Sequence, residues 1–228
     1  MSLHSRLSVA SGASAAGAAT MLLAHRFEGT VPAVLIMVLA ARASGPASAL
    51  SAGEFARRLA TAALRRQAAF ASAWVLFAAA ASVRAGSTVM ADIAGAHGVA
   101  GLALARGPVL SIAGMWLAVL GVAIAIGGSF PARVGVRLAG PNGGMVLMPA
   151  LARRLDLLGV AVQILFVAAL AAGAQIRSAT DAIGWVAAAV ALGAWTWFGR
   201  DAARLPIAPA VAFGLCAAGL ALVVGGRA

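Results

Sequence analysis

Few residues in this sequence have the types and spacing that metal binding or acid–base catalysis needs. His97 follows Asp92 by five residues, and His25 precedes Glu28 by three, a spacing that puts two side chains on one face of a helix. A zinc site needs three or four such ligands, so loop and interfacial positions explain both pairs better. The single cysteine, Cys216, lies in an apolar run and cannot form a disulfide within the chain. We therefore expect no cofactor and no metal site, and the chain is not predicted to be an enzyme on its own.

The composition explains why such groups are scarce. Of the 228 residues, 63% are apolar and 10% are charged, and the mean hydropathy is +0.99. Soluble domains are about half apolar and about a quarter charged, so a soluble fold of this size could not bury so much apolar surface. The apolar runs are continuous and longer than the alternating segments of a membrane β-barrel. The predicted fold class is all-α, a polytopic transmembrane helical bundle.

Seven apolar runs are long enough to cross the roughly 30 Å of hydrocarbon in a bilayer. They cover residues 7–24, 27–43, 67–83, 108–127, 157–174, 183–198 and 207–224. Glu28 and Pro32 fall in the first turns of the second run, so the prediction is six to seven spans in a single domain, residues 1–228. Run 7–24 fits a retained helix better than a signal peptide, because the residues from His25 to Glu28 make a poor cleavage site.

All 17 basic side chains are arginines, against six acids, which gives a formal charge of +11. They lie between the apolar runs, and arginine-rich loops between membrane spans stay in the cytoplasm. Nucleic-acid binding would favour a basic stripe interleaved with aromatic residues, and the sequence has no such stripe. Rich and poor loops alternate along seven spans, which predicts a cytoplasmic N-terminus and an external C-terminus. Eight arginines would form one cytoplasmic basic face that either docks a partner or meets anionic headgroups: Arg57, Arg58, Arg65, Arg66, Arg133, Arg137, Arg153 and Arg154.

Part of this basic face is predicted to lie on a helix in the membrane interface, residues 51–66. Gly45-Pro46 should end the preceding run, and Ser51-x-x-Glu54 has the form of a capping box. Apolar and arginine side chains then fall on opposite faces of the segment, as they do in a helix lying flat on a membrane.

The six acids and the three histidines all fall at or beyond the ends of the predicted spans. A proton or ion path through a bilayer normally needs ionisable groups inside the spans. This pattern argues against an autonomous proton pump or ion channel.

From about Arg57 to Val224, the order of elements resembles the membrane-anchor (quinone-channel) subunit of complex I and its relatives in formate hydrogenlyase and hydrogenase-4-type complexes. The clearest are the segment 145–163, Met-Val-Leu-Met-Pro-Ala-Leu-Ala-Arg-Arg-Leu-Asp and onward, and the segment 201–209, Asp-Ala-Ala-Arg-Leu-Pro-Ile-Ala-Pro. Ala85-Gly-Ser-Thr88 and Gly45-Pro46 also have the expected placement. The resemblance implies a divergent, shortened member in a bacterial inner membrane. Its implied partners are antiporter-like membrane subunits and a hydrophilic cytoplasmic module, with membrane lipid around it and quinone as a candidate ligand.

Positions that carry acids in that family hold other residues here, namely Ile126, Arg133 and Met148. An aliphatic side chain cannot relay a proton. The resemblance therefore implies a non-catalytic membrane-anchor subunit of a complex I-like or hydrogenase-like assembly, with lost or reduced proton-relay capacity. The alternative is a small membrane transporter or channel that oligomerises around a pore.

Overall fold

The computed structural model describes residues 29–50, 54–90, 92–93, 108–129, 150–172, 186, 190, 192–196 and 205–226. Five helices have described bounds, α1 Val31–Ala49, α2 Glu54–Ala85, α3 Val109–Ser129, α4 Ala150–Ala172 and α5 Ala208–Gly225, and residues 186, 190 and 192–196 are helical as well. The β structure among the described residues is one isolated bridge. The all-α prediction is confirmed for the described residues.

Three of the described helices are long and apolar enough to cross a membrane: Ala60–Ala85, Val109–Gly128 and Ala208–Gly225. They correspond to the predicted spans 67–83, 108–127 and 207–224. Predicted spans 27–43 and 157–174 hold the shorter apolar helices Val31–Ala47 and Leu157–Leu170. Span 7–24 lies outside the described residues, and 183–198 is described only in part. The described helices therefore do not support the predicted six to seven spans.

Helix α1 does not end before Gly45-Pro46 as the sequence predicts, but continues through both residues to Ala49. Proline has no N–H to bond the carbonyl four residues earlier, which here belongs to Arg42. The side-chain amide of Gln67 in α2 donates a hydrogen bond to that carbonyl instead, at 3.4 Å. A neighbouring helix thus supplies the partner that proline removes, and α1 gains about one and a half turns.

The predicted interfacial helix and the span 67–83 form one uninterrupted helix, α2. Neither glycine nor proline occurs between Glu54 and Ala85, and alanine, the strongest helix former, recurs throughout. Arg58 pairs with Glu54 one turn earlier, and Thr61 Oγ1 donates to the carbonyl of Arg57 at 2.8 Å. Residues 54–66 are therefore an extension of a membrane-length helix and not a separate element. The capping role of residue 51 lies outside the described residues.

Helices α1 and α2 form an antiparallel hairpin. An antiparallel β-bridge joins Thr30, just before α1, to Val89, just after α2. Towards the other end, Gln67 of α2 contacts the backbone at Arg42 of α1. The C-terminal end of α1 therefore lies beside the N-terminal half of α2.

Helix α4 packs on α1 and runs parallel to α2. A Cβ atom added to Gly159 would lie 2.8 Å from the Cα atom of Arg42, so the two backbones are in direct contact there. About two turns further along α4, Phe166 contacts Trp74 of α2, with 6.3 Å between ring centroids. Gly159 lies at the level of Gln67, because both contact the backbone of Arg42, and Phe166 lies at the level of Trp74. Helix α4 therefore runs in the same direction as α2. The N-terminal ends of α2 and α4 therefore lie at one end of the bundle.

Helices α3 and α5 pack closely through small residues. A Cβ atom added to Gly114 would lie 2.5 Å from the carbonyl oxygen of Gly219, and the converse distance is also 2.5 Å. Nearby, the Cys216 thiol donates to the carbonyl of Ala118 at 3.5 Å. Small residues at such contacts let membrane helices approach to backbone distance, where dispersion forces are strongest.

The outer surface of the described bundle is apolar as well as its core. Trp74, Phe77 and Phe166 are buried between helices, whereas Ile36 is 68% exposed and Trp116 is 50% exposed. Scattered exposed apolar side chains are normal in water, but here they recur on all five helices. This surface is suited to hydrocarbon.

Candidate functional site

The arginines that the sequence assigns to one basic face can be followed in part. Arg57, Arg58, Arg65 and Arg154 are exposed, and Arg66 is half-buried. Since α2 and α4 run parallel, the structure brings these five to the same end of the bundle, which we call the basic end. Arg133 and Arg137 lie outside the described residues, and for Arg153 only the helical backbone is described.

One exposed stripe of α2 changes character along its length. Residues 57, 58 and 65 are arginines, whereas the residues further along the stripe are uncharged, namely Ala68, Ala69, Ser72 and Val75; all seven are exposed. Guanidinium groups require water or phosphate, whereas alanine and valine are compatible with hydrocarbon. From Ala68 to Ala85 the helix rises about 26 Å, which is close to the hydrocarbon thickness of about 30 Å. The hydrocarbon boundary at the basic end therefore lies near Ala68.

A second polar feature is buried inside the bundle. Arg42, next to last in predicted span 27–43, has 1% of its surface exposed. It is enclosed where Gln67 reaches its carbonyl and where Gly159 meets its backbone. Gln163, one turn beyond Gly159 in α4, is also 1% exposed, and its Oε1 atom has no hydrogen-bond partner among the described residues.

Sequence reasoning missed Arg42, and a signal for it exists. Arg42 follows Val38 by four residues and Val31 by eleven, so it continues the helical face that both valines bury. Predicted span 27–43 already includes Arg42, so this face can be read from the sequence without the extension of the helix through Gly45-Pro46. Arg42 is level with Gln67, near the hydrocarbon boundary at the basic end.

The residues first considered for metal or acid–base chemistry do not form a site in the described structure. Asp92 is exposed and accepts a hydrogen bond from Ser87 Oγ at 2.6 Å, which stabilises the turn after α2. His25, Glu28 and His97 lie outside the described residues. Where side chains are described, no three of His, Cys, Asp and Glu come together as a metal site would require. Cys216 is buried as a packing residue between α3 and α5.

Comparison of the chain with protein-family models, with curated proteins and with solved structures found no match. The described residues form an all-helical protein with an apolar exterior and three helices that are long and apolar enough to cross a membrane, as in a membrane protein. Its particular role is inferred from its own residues.

Proposed function

We propose that this chain is a non-catalytic anchor subunit of a larger membrane assembly of the complex I-like or hydrogenase-like type. The observation that carries the proposal is the distribution of polar groups on the outside of the bundle. The sides are apolar and suited to lipid or to other membrane subunits, and the exposed arginines of α2 and α4 gather at one end. Such an end can hold a hydrophilic partner through carboxylates, because the planar guanidinium binds them in a bidentate way.

The type of assembly is supported by the sequence resemblance alone, above all by segments 145–163 and 201–209. It suggests antiporter-like membrane subunits beside the bundle, a hydrophilic module at the basic end and quinone as a candidate ligand. The positive-inside rule favours a cytoplasmic location for the basic end, and the resemblance implies a bacterial inner membrane. Six to seven spans, with an external C-terminus, would require crossings by segments 7–24 and 183–198.

A reduced proton-relay role is part of this proposal. Two acids have described side chains, Glu54 and Asp92, and both are exposed and lie outside the candidate spans. Ile126, at a position where the resembling family carries an acid, is fully buried in α3. An aliphatic group at that place cannot pass a proton to a neighbouring subunit.

The test is purification of the tagged full-length chain from native membranes in mild detergent, with its partners identified by mass spectrometry. We expect membrane subunits and a hydrophilic module at fixed stoichiometry. The variant with lysine at Arg57, Arg58, Arg153 and Arg154 is the matched control, because it keeps every charge but loses the guanidinium fork. It should insert normally and lose the hydrophilic partner at moderate salt. A chain that purifies alone or only with copies of itself contradicts the proposal.

A second candidate, a small oligomeric transporter or channel, is favoured by one observation, the burial of Arg42 and Gln163 inside the bundle. Buried ionisable groups in membrane proteins often mark substrate or ion pathways. Purified chain in liposomes distinguishes the candidates. A transporter would give anion or proton flux that Arg42→Gln abolishes and Arg42→Lys partly keeps, whereas an anchor subunit gives no flux in any of the three forms.

A further inference from the structure

Because α2 is one uninterrupted helix, the height of each of its arginines above the hydrocarbon boundary follows from the helical rise. With the hydrocarbon boundary near Ala68, Arg65 lies about 4.5 Å beyond it and Arg57 about 16 Å beyond it, at 1.5 Å rise per residue. The headgroup layer of each leaflet is about 5–8 Å thick. Arg65 is therefore at the level of lipid phosphates, whereas Arg57 is beyond them.

Tilt of the helix does not remove this difference. At about 40°, the upper end of the range for membrane helices, the height of Arg57 falls from about 16 Å to about 12 Å, still outside the headgroup layer. The backbone at Arg57 and Arg58 thus lies beyond the headgroup layer over this range of tilt, and both side chains are exposed.

We propose that the projecting turns of α2, residues 54–61, are a docking surface for an acidic patch on a hydrophilic protein, and that Arg65 serves the lipid headgroups instead. This inference rests on the proposed anchoring role and names the chemistry of its partner. The two arginines in these turns are accompanied by one acid, Glu54, which pairs with Arg58. The patch therefore keeps a net positive charge, and a carboxylate of the partner can join the Glu54–Arg58 pair or bind Arg57 directly.

Two arginines on one face give a matched comparison. Arg57 and Arg65 are both exposed, lie on the same stripe and differ by eight residues, or about 12 Å of height. That separation exceeds the Debye length of about 8 Å at physiological salt, so an acidic group held by one is largely screened from the other.

The first measurement is depth. The full-length chain is labelled with a nitroxide at Arg57→Cys or Arg65→Cys and placed in phosphatidylcholine nanodiscs. The native Cys216 is buried, so the chain without an added cysteine is the labelling control. We expect the residue 57 label to relax with an aqueous nickel chelate and to be insensitive to a headgroup-attached quencher, and the residue 65 label to show the reverse. Equal depth for both labels would mean that residues 54–66 lie flat on the membrane, and would overturn the proposal.

The second measurement is binding of fluorescent polyglutamate to the same nanodiscs at about 0.15 M salt. Arg57→Gln should weaken binding about threefold and Arg57→Gln/Arg58→Gln about tenfold, as expected for loss of one and two exposed ion pairs. Arg65→Gln should change it by less than about 1.5-fold, because residue 65 lies more than one Debye length along the helix from Arg57 and Arg58. An equal effect of Arg65→Gln and Arg57→Gln, or binding abolished by anionic phosphatidylglycerol alone, would assign these arginines to lipid.

These outcomes are separable from those of the native purification. A failed depth or binding result leaves membrane anchoring untouched. If the chain purifies only with copies of itself while the depth and binding measurements are both positive, the docking surface is supported and the proposed assembly is contradicted.

Discussion

The contact between α3 and α5 can be tested by adding one carbon atom to Gly219. A Cβ atom there would lie 2.5 Å from the carbonyl oxygen of Gly114 and 2.9 Å from the backbone nitrogen of Ala118. Ordinary contact begins at 3.4 Å, so the helices would have to separate by 3.4 − 2.5 = 0.9 Å. Neither backbone atom can rotate away as a side chain could. Overpacking of this kind costs about 1–3 kcal/mol, and the value here should fall in the upper part of that range.

Gly214 in the same helix is the matched control, because an added Cβ would have no atom within 4 Å. Both Gly→Ala changes gain the same helix-propensity benefit of about 0.5–1 kcal/mol, so their difference isolates the packing term. We expect Gly219→Ala to be less stable than Gly214→Ala by about 2–3 kcal/mol. The assay is the free energy of unfolding of the purified chain in mixed micelles titrated with denaturing detergent. Equal stability of the two variants, or greater stability of Gly219→Ala, would show that the two backbones are not in contact.

Three further predictions concern other parts of the chain. Gln67→Ala should lower the free energy of unfolding by about 0.5–1 kcal/mol in the parent chain. The loss should be much smaller when Pro46 is replaced by Ala, because the restored N–H then bonds the Arg42 carbonyl. A double-mutant cycle on unfolding free energies that shows no coupling between the two positions would mean that Gln67 does not replace the lost bond. The Cys216 thiol should resist maleimide in the folded chain and react after denaturation, and rapid labelling of the folded chain would mean that α3 and α5 separate. A C-terminal reporter active only in the cytoplasm should be silent, and a bright reporter would show that the number of spans is even.

The positions of the most apolar helices could be predicted from the sequence almost to the residue. Predicted spans 108–127 and 207–224 correspond to α3 and α5, because an unbroken apolar run specifies a membrane helix without help from its neighbours. The contact surface between them also has a sequence signal. Gly114, Ala118, Cys216 and Gly219 are small residues at spacings of three or four, the pattern of closely packed membrane helices.

The extension of α1 could not be predicted, because the hydrogen bond that permits it comes from another helix. Gly45-Pro46 is a strong local signal for a helix end, and only Gln67, 25 residues after Arg42, changes that outcome. The burial of Arg42 was missed because it depends on contacts with other helices, at Gln67 of α2 and Gly159 of α4. The projecting turns of α2 were missed in a different way. Their amphipathic pattern fits a helix on the membrane surface and one rising from it equally well, and the difference lies in whether the chain bends near Arg66.

The bridge between Thr30 and Val89 has a mechanical consequence for the α1–α2 hairpin. The Val31 N–H donates to the carbonyl of Thr88 at 2.8 Å, and the Met90 N–H donates to that of Gly29 at 3.1 Å. Sliding α1 along α2 by one turn, about 5.4 Å, would break both bonds and would also withdraw Gln67 from the Arg42 carbonyl. Hydrogen bonds thus fix the register of the hairpin at one end and near the other. Any conformational change of the bundle must move the hairpin as one rigid body, and the sliding must occur at its contacts with α4 and α5.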